Sequence, residues 1–153
     1  MVVEQDSSSP TLPTSTLFAS MADFTIPPPL KFLMSNLKLI VYIQLTNDNY
    51  AIWRLQIFKL FSANGFEGYH MGQQICPPKP PPNSSNTDYR LWHSIDQNIV
   101  SALFSTISPY VLPYILHLKT AHEIWITLEA HLQSTNRSTS YPTKERNLPY
   151  PNA

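Results

Sequence analysis

A chain of 153 residues in which 10 Lys plus Arg balance 10 Asp plus Glu has room for one core with flanking tails, and no net field keeps its copies apart. Charged residues make up 13% and apolar residues 42%, against roughly 25% charged in an ordinary soluble domain, so the chain can fold but is thinly solvated. Its basic residues stand singly, without the stripe that phosphate neutralisation requires.

Residues 1–29, rich in Ser, Thr and Pro, have little to bury and read as a disordered arm. From Leu30 the pattern changes. Leu30, Leu33, Met34 and Leu37 recur at helical spacing, and the β-branched run Ile40, Val41, Ile43 after them suits an extended segment. A helix is then expected beyond Thr46, with Asn47 or Asp48 as its cap and Tyr50, Trp53, Ile57, Leu60 and Phe61 on one face. Gly65, after Asn64, supplies the left-handed residue on which such a helix ends. Phe66–Gly72 reads as a compact turn.

The stretch 76–86 holds five prolines and reads as a surface connection. A second long helix, about 88–106, carries Trp92, Ile95, Ile99, Ala102 and Leu103 as its apolar stripe, with Arg90, His93, Asp96 and Gln97 away from it or at its edges. Ser108 followed by Pro109 reads as the start of a third helix, which Pro113 must shorten or distort. Thr120, Ala121, His122 and Glu123 form a capping box, and Trp125, Leu128 and Leu132 continue the helix it opens. Beyond Leu132 the periodicity stops, so 134–153 is expected to be a disordered tail. The fold class is therefore mainly α, a small helical bundle over 30–133 in which Trp53, Trp92 and Trp125 share one interior.

No catalytic constellation is found. His93, Ser94 and Asp96 are neighbours in sequence, but on a helix they do not converge. His117, His122 and His131 with Glu123 and Glu129 match no metal-ligand spacing, the single Cys76 forms no internal disulfide, and the glycines sit in turns rather than in a phosphate loop. No enzyme, no cofactor and no metal is expected. The first ten residues lack a signal-peptide pattern, and the apolar stretch Leu37–Leu45 is too short to cross a bilayer. A cytoplasmic, membrane-free setting follows as the expectation.

One ordered set of residues goes further. Leu45-Thr46, Asn49-Tyr50, Trp53, Gly65-Phe66, Gly68 and Cys76-Pro77-Pro78, then Trp92, Asp96, Ser101, Leu103 and Ile107-Ser108-Pro109, then Thr120-Ala121, Glu123, Trp125 and Leu128, with Ser134 and Arg137 after them, resemble the N-terminal region of the Gag polypeptide of copia-type LTR retrotransposons. The resemblance implies a capsid-like helical module that associates weakly with copies of itself toward a virus-like particle and contains no active site. It also implies a chain cut short. The helical region and zinc knuckle that follow in that family are absent, so contact with element RNA would run through a downstream region missing here. Two other readings stand beside it: a weak single-stranded RNA-binding module using Arg54, Lys59, Arg90 and Arg137, and an inactive relic of a decayed element.

Overall fold

Pro27, Pro28 and Pro29 open a helix instead of prolonging an arm. The computed structural model of the chain describes residues 25–137, and in it α1 runs Pro28–Ile40. Its two leading prolines lie in the first turn, where their missing N–H groups are no loss, and Pro27 O accepts from Leu30 N and Lys31 N at 2.9 and 3.1 Å. The boundary expected at residue 29 therefore moves back. Leu30, Leu33 and Leu37 turn inward from α1. Ile40, the first of the β-branched run, is still helical; Val41 and Ile43 follow outside the helix, and Leu45 makes a single parallel bridge to Ile107, with Leu45 N on Thr106 O at 2.8 Å and Ser108 N on Leu45 O at 3.0 Å. Strands are absent among the described residues.

Helix α2 spans Tyr50–Ala63, and its cap position falls to Asn49, so Asp48 is not the cap. Asn49 does not bind the helix either. Its φ of −115° and ψ of 15° depart from the extended geometry that a capping side chain needs. The amide instead closes the preceding loop, taking Thr46 N at 2.8 Å and giving to Gln44 O at 2.9 Å. At the other end Gly65, φ +77°, donates to Ser62 O at 3.1 Å, and Phe66 N reaches Phe61 O at 2.9 Å. That pair of bonds is a Schellman ending.

A single helical turn, α3 (Glu67–His70), follows, and the proline-rich segment then runs exposed to α4, Thr87–Ser105. Asn86 caps α4 through Oδ1, which accepts from Asp88 N at 3.0 Å and Tyr89 N at 3.2 Å. Ser108 does not begin a helix by capping. Its N–H is spent on Leu45 O, its carbonyl accepts from Val111 N and Leu112 N, and its buried hydroxyl meets no partner. Only a 3-10 turn, Leu112–Tyr114, forms around Pro113.

Helix α5 covers Ala121–Arg137, past the point where the apolar periodicity ends. Residue 134 is thus still helical, and of the expected tail only 138–153 lies outside the described residues, as does 1–24 of the expected arm. Glu123 N donates to Thr120 Oγ1 at 3.2 Å, while Glu123 Oε2 accepts from Thr120 N at 3.2 Å and from Lys119 N at 2.8 Å. These bonds hold the Glu123 carboxyl below the usual carboxylate range. Helix α4 packs on α1, α3 and α5, and α3 packs on α2 and α5. One continuous core results.

Candidate interaction surface

The interior decides what is left for the surface. Tyr50, Trp53, Ile57, Phe61, Ile95, Ile99, Leu103, Trp125, Leu128 and Leu132 are buried, with Leu60 half-buried against them. Trp53 and Trp125 meet at 6.0 Å between ring centroids. The Trp53 indole N–H donates to Thr106 Oγ1 at 3.2 Å, and that hydroxyl in turn donates to Leu103 O at 2.8 Å. Trp92 does not join them. It is half-buried, lies 5.8 Å from the Tyr69 ring and gives its N–H to Gln74 O at 3.0 Å. Its face of α4 is the right one, but that end of the helix is backed by the loop after α3.

Asp96 takes the inward place that the expectation denied it. It is 1% exposed, and its Oδ1 accepts the N–H of Ala121, the first residue of α5, at 3.1 Å. Gln97 Nε2 reaches Oδ2 at 3.4 Å. An α4 carboxylate thus completes the N-terminus of α5, where negative charge is favoured. Burial still raises its pKa, and the Ala121 and Gln97 bonds offset part of that. The spacing Trp92, Asp96, Ile99, Leu103 is helical, and it was the available signal for this position.

His70 is a second residue that sequence reasoning passed over. Its ring is fully buried, edge-on to Trp125 at 4.4 Å and 5.3 Å from Phe61, and neither nitrogen meets a partner at hydrogen-bond geometry. Burial pushes its pKa down to about 4, which the Phe66 carbonyl and Glu67 only partly oppose. His122 Nδ1 donates to the His70 carbonyl at 2.9 Å. Its ring sits against Gly72, φ +75°, so closely that a Cβ there would fall 2.7 Å from His122 Cε1. Both features pin α3 to α5.

His93 lies against Tyr89 while Asp96 faces inward, and among the described residues no group of three His, Cys, Asp or Glu could hold a metal ion. Beside Trp92, a groove of about 510 Å³ is lined by Tyr89, His93, Val100, Phe104 and Leu118 among others. Arg54 is engaged with Glu129 at 3.2 Å and lies over the Trp125 ring at 5.7 Å.

Several large apolar side chains stay exposed outside this core. Leu39, Tyr42, Ile52 and Leu55 are 81, 76, 65 and 54% exposed, and Ile40 and Ile43 are uncovered in part. Gln56 Nε2 donates to Ile40 O at 3.3 Å, which ties the last residue of α1 to α2. Phe32, Ile75, Tyr110 and Leu116 are exposed as well, and some exposed apolar side chains are ordinary on a protein surface. No helix of the described residues is long and apolar enough to cross a membrane.

Over 89 residues, 56% of the chain, the sequence is 34% identical to the retrovirus-related Pol polyproteins from transposons RE1 and RE2 of Arabidopsis thaliana. The chain spans only 6% of the length of these polyproteins. No family model and no solved structure matches it. The similarity supports a retrotransposon-derived protein.

Proposed function

We propose that the chain is a non-enzymatic structural module, the N-terminal part of a copia-type Gag polypeptide, which associates weakly with copies of itself in the cytoplasm toward a virus-like particle. One observation carries this reading: large apolar side chains remain uncovered around a closed core in a chain of zero net charge. Burying apolar surface drives association, and a neutral surface does not oppose it. Each contact is weak, and an assembly becomes stable by summing many. The residues of the ordered set that resembles copia-type Gag, Trp53, Leu103, Thr120, Glu123, Trp125 and Leu128 among them, serve as core and cap residues, a division of labour that suits a structural role.

Sedimentation velocity of the full chain from low to high micromolar concentration tests the proposal. The weight-average sedimentation coefficient should rise with concentration; a strictly monomeric species throughout would overturn it.

A further inference from the structure

We infer that the groove lined by the rings of Tyr89, Trp92 and His93 and by Asp96 binds a trialkylammonium group, the cationic head of a small molecule or of a methylated lysine side chain. The inference stands apart from the self-association reading. Three features select this place and this chemistry.

The first is the wall. The groove measures about 510 Å³ and is lined by α4 residues between 89 and 104, by residues 118–120 and by Cys76, so these side chains share one concavity. Sites for small ligands span about 300 to 1,000 Å³. Tyr89, Trp92 and Phe104 are half-buried and His93 is exposed, which leaves aromatic surface uncovered there. The face of such a ring carries negative potential and attracts an organic cation within about 6 Å of its centre.

The second is charge. Asp96 belongs to the same lining at 1% exposure, and among the described residues no Lys or Arg forms an ion pair with it. Its Oδ1 is held by Ala121 N at 3.1 Å, whereas Oδ2 has only Gln97 Nε2 at 3.4 Å, long for such a bond. That amide is committed to Lys119 O at 2.8 Å. A buried charge is costly unless it is paired, and burial is what raises the Asp96 pKa. The carboxylate's field reaches the Tyr69 hydroxyl and the Cys76 thiol, each pushed up by burial first and by Asp96 second. Lys119, also in the lining, is exposed and helps to hold the Glu123 carboxyl ionised, so its charge is answered in part there.

The third is the supply of acceptors. Beside Asp96, Lys119 O is taken by Gln97 and Thr120 Oγ1 by Glu123 N at 3.2 Å. Few oxygens are left for a donor-rich ligand. A primary ammonium brings three N–H donors and a guanidinium five, and most would go unmet. An ammonium clothed in methyl groups brings none, and suits the rings together with Val100 and Leu118.

Isothermal titration calorimetry of the full chain at constant chloride tests this with three probes: choline, a peptide carrying trimethyllysine, and the uncharged analogue of choline in which a tert-butyl group replaces trimethylammonium. Choline or the peptide should bind at least about tenfold more tightly than the uncharged analogue, and the tighter of the two names the source of the group. Trp92→Leu removes the ring but not the bulk, and Asp96→Asn removes the charge but keeps an oxygen for the Ala121 N–H. Each should weaken the cation about tenfold and leave the analogue unchanged. Far-UV circular dichroism checks that the variants are folded; should either unfold, the comparison of charged and uncharged probes on the parent chain decides alone. No binding of either cation, equal binding of the uncharged analogue, or folded variants that bind the cation as the parent does would each overturn the inference.

Discussion

Trp125 on α5 and Trp92 on α4 belong to helices that pack together, yet one ring closes the core and the other rests at its rim. Trp125 is buried between Trp53 and His70; Trp92 covers Tyr69 and reaches a loop carbonyl. The residue type is the same and the helical face is apolar in both. What differs is height along the helix. Trp125 stands where α3 and α2 both converge, while Trp92 meets only Tyr69 at the edge of α3 and the loop after it. An apolar stripe specifies which side of a helix turns inward, and the neighbours decide how much of that side is covered.

The sharpest way to break this contrast is to delete each indole in turn. Trp125→Ala is expected to cost about 3 to 5 kcal/mol, enough to unfold a domain of ordinary marginal stability. Trp92→Ala, at a half-buried site, should cost about 1 to 2 kcal/mol. Thermal melting of both variants checks it, and equal losses would mean that the two sites are equally enclosed.

The interior around Trp125 should also be the acid-sensitive region. Held at about 4 in the fold against roughly 6.5 in an unfolded chain, the His70 imidazole contributes fully above pH 6.5. Below that the unfolded chain binds a proton that the fold refuses, and the contribution drains away as pH falls to about 4. The loss should reach up to about 3 kcal/mol, at about 1.4 kcal/mol per unit of pKa difference. Asp96, whose carboxyl is raised by burial, works in the opposite sense. The measurement is therefore the difference between the parent chain and His70→Leu in denaturant titrations between pH 7 and pH 4. Slopes that coincide would show that His70 is not sealed off.

A smaller effect separates the charge of Asp96 from its geometry. Asp96→Ala strands the Ala121 N–H and should cost about 1 to 3 kcal/mol. Asp96→Asn keeps an oxygen facing that N–H and no longer buries a charge, so it should lose well under half as much. Chemical denaturation of the two variants tests this, and similar losses would mean that the carboxylate's charge, rather than its acceptor oxygen, is what α5 requires.

Several local rules whose bond partners lie within a few residues were read correctly. The Thr120 and Glu123 capping box and the Gly65 ending are of this kind, as is the spacing that turns Tyr50, Trp53, Ile57 and Phe61 inward. The helix caps that failed did so for a stated reason. The cap expected at Asn47 or Asp48 falls instead at Asn49, whose side chain closes the loop before α2, and Ser108 gave its backbone N–H to Leu45 across the fold. Competition from distant or preceding backbone groups is not visible in a four-residue window.

The sequence by itself determined the helical class, most of the inward faces, two of the helix ends and the shortage of charge that leaves apolar side chains in water. The tertiary structure alone decided which tryptophans meet, that Asp96 closes a helix 25 residues away in sequence, and that His70 is sealed without a hydrogen-bond partner. Periodicity and capping act through bonds a few residues long, which a linear reading can follow. Burial depends on which elements arrive at the same height in space, and that is settled only when the helices pack.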